Sequence, residues 1–256
     1  MLIGSRLILP IICQLMVLQF VRPVWADSSR LWSIVHDQCV AGQRMLRDPK
    51  PCSEVNLANG EENGYALLQD LFGRTHYLLI PTRRVYGIES PELLLPDSPN
   101  YWQAAWLAKK YIASQFGQIL PRNKVGMAIN SAMQRSQDQL HIHIDCIQPE
   151  VLTQLSDYMD SISEQWTLLP FRLMGRQYMA RRLEVPELLV VNPFLLLYST
   201  NAAAHSDMSK QTEVIIGANL GQGREGFVVL SQQANPADQG SGHGEELLDR
   251  TCALMN

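Results

Sequence analysis

Apolar and polar side chains alternate without a break through Leu140-His141-Ile142-His143-Ile144-Asp145. Neighbouring side chains of a strand point to opposite faces. The pattern therefore predicts a strand that sends Leu140, Ile142 and Ile144 into a core and aligns His141, His143 and Asp145 on the other face. Upstream, residues 29–46 place Leu31, Val35, Cys39 and Met45 near helical spacing, with Asp27 or Ser28 to cap the start. Residues 47–63 are polar and contain Pro49, Pro51 and Gly60, which predicts a loop. Residues 65–69 and 76–80 read as strands joined by a turn over 70–74, a hairpin.

The stretch 82–100 is proline-rich and is expected to be irregular. Residues 101–118 form an amphipathic helix, with Trp102, Ala105, Trp106, Ile112, Ala113 and Phe116 on one stripe. Lys109 interrupts that stripe, its apolar stem lying along the core edge. A strand over 125–130 and a polar turn over 131–139 lead into the histidine strand, and 150–165 is helical. Further strands are expected over 177–183, 213–219 and 226–231. A loop over 235–244 and a closing helix over 245–255 follow. This order predicts an α+β fold with a mainly antiparallel sheet.

The first 26 residues change the picture. Arg6 precedes an uncharged, mostly apolar run from Leu7 to Val21, and Val24-Trp25-Ala26 ends it in the manner of a cleavage site. The run is about 15 residues, roughly 22 Å as a helix, short of the ~20 residues of a usual span. Residues 1–26 are thus a signal peptide or an N-terminal membrane anchor, with length favouring the signal. Either way the bulk of the chain leaves the cytoplasm. Beyond Cys13 four cysteines remain, and an even number in an exported chain suggests two disulfides. Three pairings are open. The favoured one joins Cys39 to Cys52 across a polar loop and Cys146 to Cys252, tying a C-terminal helix to the histidine strand. The net charge is −4 with no basic block, so nucleic acid is not an expected partner.

Two imidazoles and a carboxylate in a row suit two chemistries. A neutral histidine is a good nucleophile toward phosphorus, and an ordinary pKa near 6.5 leaves it mostly unprotonated at neutral pH. His-x-His on a strand is also a common metal pair. That reading needs a further ligand, and three residues of one strand face rarely converge on one ion.

Two segments resemble the histidine-triad superfamily of nucleotide hydrolases and transferases. Thr75-His76-Tyr77-Leu78-Leu79-Ile80-Pro81 is similar to its proline-terminated strand, and residues 130–143 to its Asn-strand, turn and His-x-His signature. The third signature position is Asp145 instead of His, which argues against the small dimeric hydrolase branch. Within the superfamily the chain most resembles the CDP-diacylglycerol pyrophosphatases. The likeness rests on the exported N-terminus, the Cys39/Cys52 pair, Gly64-Tyr65, Tyr77-Leu78-Leu79-Ile80-Pro81-Thr82 with Glu89-Ser90-Pro91, Ala128-Ile129-Asn130-Ser131, and His141-Ile142-His143-Ile144-x-Cys146-Ile147.

The resemblance implies a histidine-triad-like catalytic domain over 27–170 and a strand-rich extension over 171–256 completing the same fold. It implies hydrolysis of CDP-diacylglycerol to CMP and phosphatidate at the inner membrane, with the catalytic domain on the periplasmic side. His143 would be the nucleophile of a covalent nucleotidyl intermediate and His141 a donor to phosphate or the leaving oxygen. Asp145 would orient an imidazole. Asn130 and Gln137, with Ser136 behind them, would bind phosphate or ribose. No metal or cofactor is required by these residues. The alternatives are a nucleotidyltransferase or general nucleotide pyrophosphatase using the same histidine, and a non-enzymatic periplasmic metal-binding protein.

Overall fold

A computed structural model describes residues 27–238 and 241–255 of the chain. The expected signal peptide or anchor over 1–26 lies outside them. Among the described residues no helix is long and apolar enough to cross a membrane.

The first helix, α1, runs over residues 30–46 and is wound as a π-helix through Ile34–Val40. It presents Leu31, Val35, Cys39 and Val40 to the protein interior. Strands β1 (Glu54–Asn56), β2 (Tyr65–Gln69) and β3 (Tyr77–Pro81) follow. Helices α2 (Tyr101–Leu107) and α3 (Lys109–Phe116) break at Ala108, where one longer helix is expected. The apolar stripe is nonetheless the core face, with Trp102, Trp106 and Ile112 buried. Lys109 lays its ammonium 4.0 Å from the centre of the Trp106 ring.

Strands β4 (Val125–Ile129) and β5 (Ile142–Ile147) come next, then helix α4 (Pro149–Tyr158), which ends about two turns earlier than its pattern predicts. The chain continues through β6 (Thr167–Leu173), β7 (Arg176–Leu183), α5 (Pro193–Thr200) and α6 (Ala202–Ser206). It finishes with β8 (Gln211–Asn219), β9 (Glu225–Gln233) and β10 (Leu248–Asp249).

All pairs are antiparallel, and the order is β1-β2-β3-β5-β4-β8-β9-β7-β6, with β10 pairing β5 beyond the end of β3. The fold is α+β, as the element order predicts. Residues after 171 supply β7 to β10 of this one sheet. Strands β3, β4 and β5 lie in its middle, and every residue in them is buried. One face of the sheet meets α2, α3 and α5 through Leu140, Ile142, Ile144, Trp106 and Phe194. The opposite face carries two separate cores. One lies beneath α1 and contains Val35, Leu78 and Ile80. The other contains Val151, Ile147, Val214 and Leu248. The histidine row lies on this divided face.

Three expectations are corrected, each for a physical reason. The loop over 47–63 contains β1, which pairs with β2 across a short connection. Residues 166–176, for which the pattern predicts no element, contain β6, and Pro170 is tolerated within it because β6 is the sheet's edge and its register shifts between Leu168 and Arg172. At an edge bulge the missing N–H leaves no ladder bond unmade. The closing helix over 245–255 is replaced by two short turns and β10. Asp249 accepts hydrogen bonds from the backbone N–H groups of Thr251 (2.9 Å) and Ala253 (2.7 Å). Such local bonds compete with helix formation.

Both favoured cysteine pairs are brought to disulfide-bonding distance, Cys39 with Cys52 (Cα–Cα 5.6 Å) and Cys146 with Cys252 (5.1 Å). The second ties β5 to a C-terminal turn, not to a helix.

Candidate active site

Strand β5 holds the site because both its neighbours are fixed. Leu78 of β3 and Ala128 of β4 lie opposite His143. Continuing the β3–β5 register sets His76, just before β3, opposite Asp145. The turn between β2 and β3 closes on Gly73, whose φ is +119°. A side chain there would meet the Cβ atoms of His76 (3.0 Å) and Arg250 (3.1 Å), so glycine lets the turn, the histidine and the C-terminal segment converge.

Asp145 is fully buried and accepts two hydrogen bonds, from the Cys146 N–H to Oδ1 (2.8 Å) and from His76 Nδ1 to Oδ2 (3.0 Å). A carboxylate only accepts, so Nδ1 of His76 carries the proton. Nε2 of a neutral His76 then offers a lone pair, and it lies 2.9 Å from His143 Nδ1. Nδ1 of His143 therefore donates. Its other near neighbour, Glu245 Oε2 at 3.4 Å, is also an acceptor. The proton on Nδ1 leaves the lone pair of His143 on Nε2. That nitrogen is buried and has no protein partner among the described residues. Burial, with smaller contributions from His141, His76 and Arg250, pushes the His143 pKa well below its ordinary value, against the pull of Glu245. The imidazole is neutral at neutral pH.

His143 lines a cavity of about 820 Å3. Its polar end is formed by His141, His143, Asn130, Glu245 and Arg250, its apolar wall by Leu31, Ile34, Leu68 and Leu78. His141 points Nδ1 at the Gln139 carbonyl oxygen (2.7 Å), so Nδ1 is its donor and Nε2 holds the lone pair. Burial lowers its pKa, partly offset by that hydrogen bond. Neutral His141 thus keeps its lone pair on Nε2.

Glu245 and Arg250 carry charge into the cavity. Glu245 accepts from Asn130 Nδ2 (2.9 Å) and from Arg250 Nη2 (2.8 Å). Burial alone would raise its pKa, but the protonated form of His143, together with Asn130 and Arg250, outweighs burial and brings it to about 2. Arg250 also donates to the Phe72 carbonyl (3.2 Å).

Of the expected binding residues, Asn130, Ser136 and Gln137 all line the cavity. Asn130 is engaged with Glu245, its Oδ1 accepting from the Glu245 N–H (3.3 Å). Gln137 accepts from the Leu31 N–H (2.8 Å) and donates to the Asp27 carbonyl (3.1 Å), fastening the start of α1 over the cavity. Asp145 shares the strand face of His143, as expected. It does not line the cavity and reaches it through His76.

His76, Glu245 and Arg250 are the residues sequence reasoning missed. The strand register gives a signal for His76. Glu245 and Arg250 carry no local signal, since β10 and the Cys146–Cys252 pair bring them from the far end of the chain. Among the described residues, the side chains best placed to hold a metal ion are His76, His143 and Glu245, whose donor atoms lie within 4.8 Å of one another; Nε2 of His76 and Nδ1 of His143 are 2.9 Å apart. They are not the His141, His143 and Asp145 set that the spacing suggests. The two nitrogens face each other along a hydrogen bond, so an ion between them would displace the proton they share.

Comparisons with known proteins agree with one another. A curated CDP-diacylglycerol pyrophosphatase of Yersinia pestis is 37% identical over 231 residues, covering 90% of this chain and 86% of that protein. The family model for CDP-diacylglycerol pyrophosphatase matches residues 26–256, which spans the histidine strand, the cavity wall and the C-terminal Glu245–Arg250 segment. With that extent of match, the chain belongs to the CDP-diacylglycerol pyrophosphatase family.

Proposed function

We propose that this protein hydrolyses the pyrophosphate of CDP-diacylglycerol to CMP and phosphatidate through a covalent nucleotidyl–His143 intermediate. The observation that carries the reading is the state of His143. It is neutral, its proton is held on Nδ1 by His76, and its unpartnered Nε2 belongs to a buried group lining the cavity. A nitrogen in that state needs no base to activate it.

Nε2 attacks the phosphorus that bears cytidine. The bond from that phosphorus to the bridging oxygen breaks, and phosphatidate leaves with the electron pair. The imidazole becomes cationic, and Nδ1–H strengthens its bond to His76, which Asp145 steadies from behind. Water then attacks the same phosphorus, gives a proton to His141 once that residue has donated its own to the leaving oxygen, and the P–N bond breaks. CMP departs, and the pair returns to Nε2. Arg250 supplies positive charge beside the reacting phosphates. The diphosphate's own charge raises the proton affinity of His141, so His141 donates only once substrate is present.

The apolar side chains Leu31, Ile34, Leu68 and Leu78 in this cavity suit the lipid half of the substrate. An exported, membrane-associated protein of the inner membrane, with this site on the periplasmic side, is consistent with the apolar run from Leu7 to Val21 and with the two cysteine pairs. The test is release of CMP and phosphatidate from CDP-diacylglycerol by the purified full chain, with and without an alcohol acceptor. CMP and phosphatidate without an alcohol adduct support hydrolysis. A dominant CMP–alcohol adduct identifies a transferase, and intact liponucleotide refutes the reading.

A further inference from the structure

The β2–β3 turn exposes two large apolar side chains at the mouth of the cavity. Leu71 is 88% and Phe72 71% exposed. The turn is not loosely built. Asp70 Oδ1 accepts from the Phe72 N–H (2.9 Å), the Asp70 N–H donates to the His76 carbonyl (2.9 Å), and Arg250 holds the Phe72 carbonyl. A soluble surface gains nothing from fixing a leucine and a phenylalanine outward at the rim of a charged cavity, whereas a lipid surface does.

Two further observations point the same way. The chain enters the described structure at Asp27, whose carbonyl is held by Gln137 of the cavity, and Arg30 and Leu31 line that cavity. Retained as an anchor, the apolar run from Leu7 to Val21 would join the protein beside this mouth. Arg30, which lines it, makes no ion pair among the described residues. A cation of this kind suits the phosphates of a headgroup layer.

We infer that the Leu71–Phe72 tip enters the apolar layer of a phospholipid bilayer and brings the cavity mouth down onto it. The lipid half of the substrate then reaches His143 without crossing water. This rests on the liponucleotide reading above, and the tests are chosen to separate the two.

The first test compares the full chain with its Leu71→Ser/Phe72→Ser variant on two substrates. One is long-chain CDP-diacylglycerol in phosphatidylcholine vesicles, the other a short-chain form dissolved below its micelle concentration. The inference expects kcat/KM on vesicles to fall about 10-fold or more, since two apolar anchors are lost, and kcat/KM on the dissolved substrate to fall by far less. Equal turnover of vesicles by both proteins overturns it, and so does an equal loss on both substrates. The second test needs no turnover. Phe72→Trp should gain indole fluorescence that brominated acyl chains quench on addition of vesicles, beyond the quenching of the unaltered chain. No added quenching places the tip outside the bilayer, for example beneath residues 1–26, and overturns the inference. If the unaltered chain cleaves neither substrate while the indole of the Phe72→Trp variant is quenched, the hydrolysis reading fails and the membrane contact stands.

Discussion

His76 sets its Nε2 2.9 Å from Nδ1 of His143, and on its other side Nδ1 meets Asp145 at 3.0 Å. The pair of bonds fixes which nitrogen of His143 is free. Asp145→Asn tests this at one atom. Asparagine has a single acceptor oxygen, and the backbone N–H of Cys146 needs it. The amide nitrogen then faces His76 and donates. His76 turns its proton to Nε2, and His143 is left protonated where it should attack. We expect kcat to fall by about 10²–10⁴-fold with little change in KM, as for other wrong-tautomer substitutions. Steady-state kinetics of CMP release check it, and an unchanged kcat would remove Asp145 from the account.

The pH profile follows from the charges around His143. Burial keeps it neutral below its ordinary value of 6.5, so the acid limb of kcat/KM lies below that pH. Glu245 favours the protonated imidazole and Arg250 opposes it. Glu245→Gln should therefore move the limb to lower pH, and Arg250→Gln to higher pH. Opposite movements in kcat/KM profiles are the expected signature.

The Cys146–Cys252 pair anchors the segment that carries Glu245 and Arg250, with a sequence separation of 106 residues. Closing a loop of about 100 residues stabilises a fold by roughly 4–5 kcal/mol in the chain-entropy account. Cys39–Cys52 has a separation of only 13, for which the same account gives about 3 kcal/mol. Replacing each pair by serines should lower stability in that order in denaturant unfolding. Only loss of the first should also reduce turnover in protein that remains folded.

Glu213 on β8 is fully buried, and neither carboxylate oxygen has a partner among the described residues. Burial pushes its pKa well above the ordinary 4.5. The folded state holds it protonated, while the unfolded chain ionises once pH exceeds that ordinary value. Folding then takes up a proton, so this group's contribution to stability falls as pH rises from about 4.5 toward the folded pKa. Glu213→Gln removes that dependence. Its Tm relative to the unaltered chain should be higher at pH 8 than at pH 5.

The histidine row was legible because a period of two is written in six adjacent residues and requires no knowledge of the fold. The α2–α3 stripe and the β2–β3 hairpin were legible for the same local reason. The break at Ala108 was not, since no glycine or proline marks it. Nor was β6, since Pro170 within it is compatible with a strand only at a sheet edge or bulge. The relay through His76 depends on register, for Tyr77 must lie opposite Ile144 before His76 can reach Asp145. Glu245 and Arg250 sit in a stretch whose composition favours helix. Tertiary pairing with β5 and the side chain of Asp249 override that preference.

The central claim is a bond between Nε2 of His143 and phosphorus. Brief mixing of the full chain with CDP-diacylglycerol, quenching in the cold with denaturant at alkaline pH and mass spectrometry of the digest test it directly. The account predicts a cytidylyl group on the peptide bearing His143, absent from His143→Ala and chased into CMP when turnover continues. Turnover by His143→Ala, or a cytidylyl group trapped on any other residue, would contradict it.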